Sequence, residues 1–229
     1  CLSPSEMSDG GVGAEGCTVR LGFDTDGDGI WDGTELGMTA DSIGPDTDTS
    51  VFVADADPTT QTDPLDEDTD DDGLLDGEED QNQNGSQDEG ETDPNASDTD
   101  GDGMDDLWEN TYNDPAACAT PLLPTDSADG RSVDGGVELD NDGDGLSNYA
   151  EYLVTPSRSN PCSADSDADG LLDEVEVTSS FTEAQLSTDP TQSDSDSDGL
   201  LDGEEDANLS GMTEAGETSP LVADTDGDG

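Results

Sequence analysis

The chain has 229 residues, of which 63 are acidic and three basic (Arg20, Arg131 and Arg158), with no lysine or histidine, so the formal net charge is −60. That balance excludes a nucleic-acid partner, which needs a basic footprint, and no apolar run approaches the ~20 residues needed to span a bilayer. With only 28% apolar residues, such a polyacid stays unfolded unless a cation gathers its carboxylates.

In chain order, residues 1–23 form an N-terminal segment with Cys1 and Cys17. A twelve-residue frame, D-x-D-x-D-G-x-x-[DN]-x-x-E, then begins with "DTDGDGIWDGTE", whose acids are Asp24, Asp26, Asp28, Asp32 and Glu35. An insertion, 36–61, follows and contains "SVFVADADP", a predicted short strand. The spacer "TDPLDE" introduces "DTDDDGLLDGEE", with Asp68, Asp70, Asp72, Asp76 and Glu79. Directly after it stands a weaker copy, "DQNQNGSQDEGE", with Asp80, Asn82, Asn84, Asp88 and Glu91. The spacer "TDPNAS" leads to "DTDGDGMDDLWE", with Asp98, Asp100, Asp102, Asp106 and Glu109, which closes a first array over 24–109.

A second insertion, 110–139, holds Cys118 and the proline-rich "ATPLLPTD". The second array, 140–229, opens with "DNDGDGLSNYAE" (Asp140, Asp142, Asp144, Asn148, Glu151) and "DSDADGLLDEVE" (Asp165, Asp167, Asp169, Asp173, Glu176). "DSDSDGLLDGEE" follows, with Asp194, Asp196, Asp198, Asp202 and Glu205, and then a second weak copy, "DANLSGMTEAGE", with Asp206, Asn208, Ser210, Glu214 and Glu217. The sequence ends on an incomplete loop that supplies Asp224, Asp226 and Asp228. Proline holds each spacer extended and stops any helix. The best helical stretch is "LSNYAEYLV" at 146–154, an exit turn after its loop.

Alternating aspartates at positions 1, 3 and 5 can converge on one centre when the chain curls, and glycine at position 6 permits the sharp turn. The carbonyl of position 7, the acid at 9 and a two-oxygen glutamate at 12 complete an all-oxygen cage of the kind calcium prefers over magnesium. Six full copies and two weak ones predict about eight calcium ions, with a ninth at the incomplete loop. The weak copies carry fewer charges and are expected to bind less tightly. The apolar residues at positions 7 and 8 are read as small packing contacts between neighbouring units.

The loops resemble those of the EF-hand, and the "DTDGDG…TDP…DTDGDG" arrays resemble thrombospondin type 3 repeats, above all the bacterial calcium-binding repeats of that kind. The resemblance covers most of 24–229 apart from the two insertions. It implies an extracellular or cell-surface protein, loaded with calcium and rod-like. The fold class expected is an irregular, calcium-stapled repeat array with little regular secondary structure and short helical turns after the loops, drawn out as an extended rod. The spacers cannot form the entering helix of an EF-hand, and the animal repeats carry more cysteines per length.

No catalytic constellation stands out: there is no histidine or lysine, no serine with a recognisable base and no phosphate-binding glycine loop. The chain therefore reads as a non-enzyme, either a calcium-stiffened rod or fibre subunit, or a calcium-dependent binding or adhesion module or calcium sink, with any recognition site on an insertion. The four cysteines lack zinc-site spacing and read as disulfides from an oxidising compartment. Of three pairings, Cys118–Cys162 with Cys1–Cys17 is favoured, a lipid anchor on Cys1 being the alternative. Placing "CLSPSE" after the terminal "DTDGDG" aligns Glu6 with position 12, so head-to-tail self-association that encloses a calcium ion is a further expectation. A longer chain cut at 229 is the alternative.

Overall fold

The structure, a computed structural model, describes residues 24–45, 52–131, 138–178 and 187–227. Regular structure among them is limited to six short helices: α1 (Asp32–Glu35), α2 (Asp76–Glu79), α3 (Asp106–Thr111), α4 (Asn148–Tyr152), α5 (Asp173–Thr178) and α6 (Asp202–Glu205). Each begins at position 9 of a full copy of the frame, so one helical turn carries positions 9 and 12, both acids except for Asn148 in α4, on one face. No strand forms among the described residues.

The loops owe their curl to two backbone positions. Glycine at position 6 has positive φ in all eight copies, from +74° at Gly211 to +113° at Gly145. Position 4 is left-handed as well, but only Gly27, Gly101 and Gly143 supply glycine there; Asp71, Gln83, Ala168, Ser197 and Leu209 take φ of 57–64°. Such backbone costs about 1 kcal/mol or more for a residue with a Cβ, so something in each loop must hold it.

The spacers are not extended throughout. After the aspartate or serine the chain closes a turn, with Asp66 N–H donating to the Asp63 carbonyl (2.9 Å), Ala96 to Asp93 (2.8 Å), Gln192 to Asp189 (2.9 Å) and Val222 to Ser219 (3.0 Å). Proline pre-sets φ for the second residue of such a turn, and the Asp63, Asp93 and Asp189 carboxylates each accept an N–H two residues on, which favours the turn over extension.

The chain divides into two compact units, 1–100 with 105–107, and 101–104 with 108–229. In the first, Ile30, Met38 and Leu74 are buried. The predicted strand is absent over its described part, 52–58. Val53 O accepts from Thr34 Oγ1 (2.9 Å), Asp55 N–H donates to Met38 O (2.9 Å) and Ala56 N–H to Asn84 O (2.8 Å). The segment thus spends its backbone groups on the exit of α1 and on weak loop 80–91 rather than on a ladder.

The second unit has an aromatic core. Met104, Trp108 and Leu122 are buried, with Tyr112, Tyr149 and Tyr152 packed against them. Trp108 meets Tyr112 and Tyr152 edge-on at 5.2 and 5.3 Å. Two of the chain's three arginines cover this cluster: Arg158 lies 3.9 Å over the Tyr152 ring and Arg131 lies 5.8 Å over Tyr149. Apolar position 7 is buried in five full copies (Ile30, Leu74, Met104, Leu146 and Leu171), as the packing reading expects, whereas Leu200 and position-8 Leu172 are about 40% exposed.

Cys118 and Cys162 form a disulfide across a separation of 44 residues; the Cys1–Cys17 pairing and the Cys1 anchor fall outside the described residues. Closing a loop of 44 residues restricts the unfolded chain by about 4 kcal/mol. Reduction is expected to lower the denaturant midpoint of the calcium-loaded protein accordingly, and an unchanged midpoint after verified reduction would contradict this.

Candidate metal centres

Each loop is first organised by its own backbone. The position-5 carboxylate accepts the position-7 N–H in all six full copies, at 2.7–3.0 Å: Ile30 to Asp28, Leu74 to Asp72, Met104 to Asp102, Leu146 to Asp144, Leu171 to Asp169 and Leu200 to Asp198. Position 1 accepts the glycine-6 N–H at Asp68, Asp140, Asp165 and Asp194, and also in the weak copies at Asp80 and Asp206. Position 3 accepts the position-5 N–H at Asp70, Asp142, Asp167 and Asp196, at 3.1–3.2 Å. At Asp28, Asp70, Asp142, Asp167 and Asp196 one oxygen is thereby used, and the other faces inward, buried and without a hydrogen-bond partner.

Those inward oxygens define the centres. Carboxylate oxygens of Asp24, Asp26 and Asp28 lie within 4.8 Å of one another, as do those of Asp68, Asp70 and Asp72, and those of Asp140, Asp142 and Asp144. The position-12 glutamates are almost fully buried; Glu35 and Glu205 are each 2% exposed and Glu151 0%. Glu35 Oε1 accepts from Thr62 Oγ1 (3.3 Å) and Glu151 Oε1 from Ser159 Oγ (3.2 Å). Their second oxygens, with Asp28 Oδ2, Asp70 Oδ2, Asp142 Oδ2, Asp167 Oδ2 and Asp196 Oδ2, are buried without a hydrogen-bond partner. A buried acceptor left unmet costs about 1–3 kcal/mol, and more when charged. An oxygen-only set of this kind fits a hard divalent cation such as calcium.

The electrostatics agree. Burial first, and then the neighbouring aspartates, push Glu35, Glu79, Glu151 and Glu176 up to about 9. Burial likewise raises Asp28, Asp70, Asp106, Asp142 and Asp173 to about 6 and Asp167 to about 7. Carboxyl groups gathered this closely out of water hold their protons unless a cation replaces them.

The position-9 acids do two jobs. Within its own loop each accepts from position 2, through both N–H and hydroxyl at Asp32, Asp76, Asp106, Asp173 and Asp202; the hydroxyl bonds from Thr25, Thr69, Thr99, Ser166 and Ser195 span 2.6–2.8 Å. The hydroxyls at Thr69, Thr99, Ser166 and Thr225 in turn accept an N–H from the preceding spacer. This column of hydroxyls went unread in the sequence, although position 2 is Thr or Ser in five of the six full copies. The second job reaches across loops: an oxygen of Asp76 joins those of Asp28 and Glu35 within 4.8 Å. Position 9 of one loop thus faces the centre of the loop before it.

No family model, curated protein or solved structure matches this chain. The geometry alone therefore carries the functional argument.

The weak copies are closed differently. Asn82 Nδ2 donates to Asp88 Oδ2 (2.9 Å) and Glu91 Oε1 (3.0 Å), and Asn84 Nδ2 also donates to Asp88 (2.9 Å). These amides hold Asp88 below the usual carboxylate range. In 206–217, Asn208 Nδ2 donates to Glu214 and Glu217 at 3.0 Å, and Ser210 Oγ donates to Glu214. Amide donors stand where the full copies have only acceptors. In the incomplete loop, Asp224 Oδ1 accepts the Gly227 N–H (2.9 Å); Glu6 and Asp228, on which the head-to-tail expectation depends, lie outside the described residues.

Proposed function

We propose that the chain is an extracellular calcium-binding structural protein, a segment rigidified by calcium that serves as a rod or as part of a surface fibre. The observation that carries this reading is the repeated inward pairing of a buried position-12 glutamate with aspartates whose second oxygens have no partner. Loops 24–35, 68–79, 140–151, 165–176 and 194–205 each carry it, and the bond from position 7 to the position-5 carboxylate recurs in all six full copies; such repetition favours a load-bearing repeat over a single regulatory site. The disulfide and the absence, among the described residues, of a helix able to cross a membrane are compatible with that location. The described part of insertion 36–61 bonds to the loops, as Thr60 Oγ1 does to Gly85 O at 2.6 Å, and so serves the scaffold. No catalytic role is assigned.

Calcium titration of the metal-stripped chain by calorimetry tests this reading. Six sites are expected to fill first. Loops 80–91 and 206–217 fill later, about tenfold or more weaker, because an amide must first release two carboxylates and fewer charges remain to hold the ion. Absence of calcium binding at millimolar concentration would overturn the reading; a single uniform class of eight sites would overturn the ranking.

A further inference from the structure

In most of the array, one loop is followed in space by another whose positions 9 and 10 seat on its position 5. A Cβ on Gly77 would collide with the Asp28 carbonyl, and one on Gly203 with that of Asp169. Gly203 N–H donates to Asp169 Oδ2 (3.1 Å), and Glu174 N–H to Asp144 Oδ2 (2.8 Å). This contact brings the position-9 acid of the later loop to the earlier centre, as Asp76 is brought to Asp28 and Glu35.

Loop 98–109 is followed in sequence by insertion 110–139, where no copy of the frame can be written. Nevertheless Asp129-Gly130, inside that insertion, makes the same contact. A Cβ on Gly130 would collide with the Asp102 carboxylate, which is position 5 of the loop. Arg131 N–H donates to Asp102 O (3.1 Å). Carboxylate oxygens of Asp129, Asp102 and Glu109 lie within 4.8 Å of one another.

Asp129 is also held like a position-9 acid. It is 5% exposed, its Oδ2 accepts the Leu123 N–H (2.8 Å), and its Oδ1 is buried with no hydrogen-bond partner. Its carbonyl accepts from Asn148 Nδ2 (2.9 Å), the position-9 residue of the next full copy. A buried carboxylate fixed through one oxygen, with the other turned toward two further carboxylates, has the form of a ligand rather than of a solvated acid.

We propose that Asp129 is a calcium ligand of the 98–109 centre, supplied by the insertion in the role that a following loop's position-9 aspartate plays elsewhere. The proposal rests on the calcium reading above. It makes 110–139 part of the metal array rather than an appended recognition loop.

The test compares calcium titrations of the full chain as wild type, Asp129→Asn and Asp126→Asn. Asp126 is exposed in the same insertion and controls for loss of one charge. Asp129→Asn keeps an oxygen for Leu123 and is expected to weaken one site about tenfold or more while the rest titrate normally; Asp126→Asn is expected to match wild type. If the two variants titrate alike, the proposal falls and the calcium reading stands. If wild type binds no calcium, both fall. Should Asp129→Asn lose the near-ultraviolet signal of the Trp108 cluster at moderate calcium, recovery at higher calcium supports a ligand role. A loss that no calcium concentration reverses assigns Asp129 to packing alone and overturns the proposal.

Discussion

Stripping calcium is expected to unfold the whole array. Extracellular calcium modules bind with dissociation constants of about 10⁻⁴–10⁻³ M, and at tenfold excess one such site adds about 1.4 kcal/mol to stability. Eight sites then supply on the order of 10 kcal/mol, comparable with the entire stability of an ordinary domain. Little else is available to replace them. Nine apolar side chains are buried among the described residues, against 25 buried polar or charged ones, so apolar burial cannot offset the entropy of ordering the backbone. Removing eight divalent ions also returns the formal charge from −44 to −60, and self-repulsion expands the chain. Small-angle scattering and circular dichroism before and after chelation check this: the radius of gyration should rise and the weak helical signal vanish, both reversing on calcium addition. A chain of unchanged dimensions and spectrum after verified metal removal would show that the ions are passengers.

Much of this arrangement was legible in the amino-acid order, because a calcium loop is local. Positions 1, 3, 5, 6 and 12 lie within twelve residues, and their spacing dictates where the carboxylates and the turn fall; the helices begin where position 9 stands. Less legible was whatever depends on contacts between loops. Nothing in "DTDDDGLLDGEE" says that Asp76 faces Asp28 and Glu35, a partnership set by how Gly77 seats on the preceding loop. Asp129 was invisible for the same reason: the insertion copies a contact, not the frame. "SVFVADADP" has strand-like alternation, but its neighbours offer single carbonyls instead of an edge, so tertiary bonding overrode propensity. Left-handed backbone at Ala168 and Ser197 was likewise unreadable, since neither residue favours it. There the loop's carboxylate-to-amide bonds impose the conformation, with Gly170 N–H reaching Asp165 and Gly199 N–H reaching Asp194.

Acid is expected to act in opposite directions on the metal-stripped and the calcium-loaded chain. Without metal, folding raises Glu35, Glu79, Glu151 and Glu176 from an ordinary 4.5 to about 9, chiefly by burial. A raised folded-state value means that the folded form binds protons more tightly than the unfolded one. Its contribution to stability is therefore fully present below about pH 4.5 and is lost as pH climbs toward 9. Each such group weakens the fold progressively as pH rises through that window. Four act together on a chain with so small a core, so the metal-stripped protein is expected to be open at pH 7 and to compact on acidification. Bound calcium reverses the sign, because the ion favours the ionised carboxylate and holds it below its unfolded value. The loaded protein is then stable at neutral pH and loses both ions and structure as pH falls and protons displace the metal. Circular dichroism of metal-stripped and calcium-saturated samples, followed from pH 9 to pH 4, separates the two cases: the helical signal should grow in the first series and shrink in the second. Curves that move the same way in both would mean that the buried glutamates are not where calcium and protons compete.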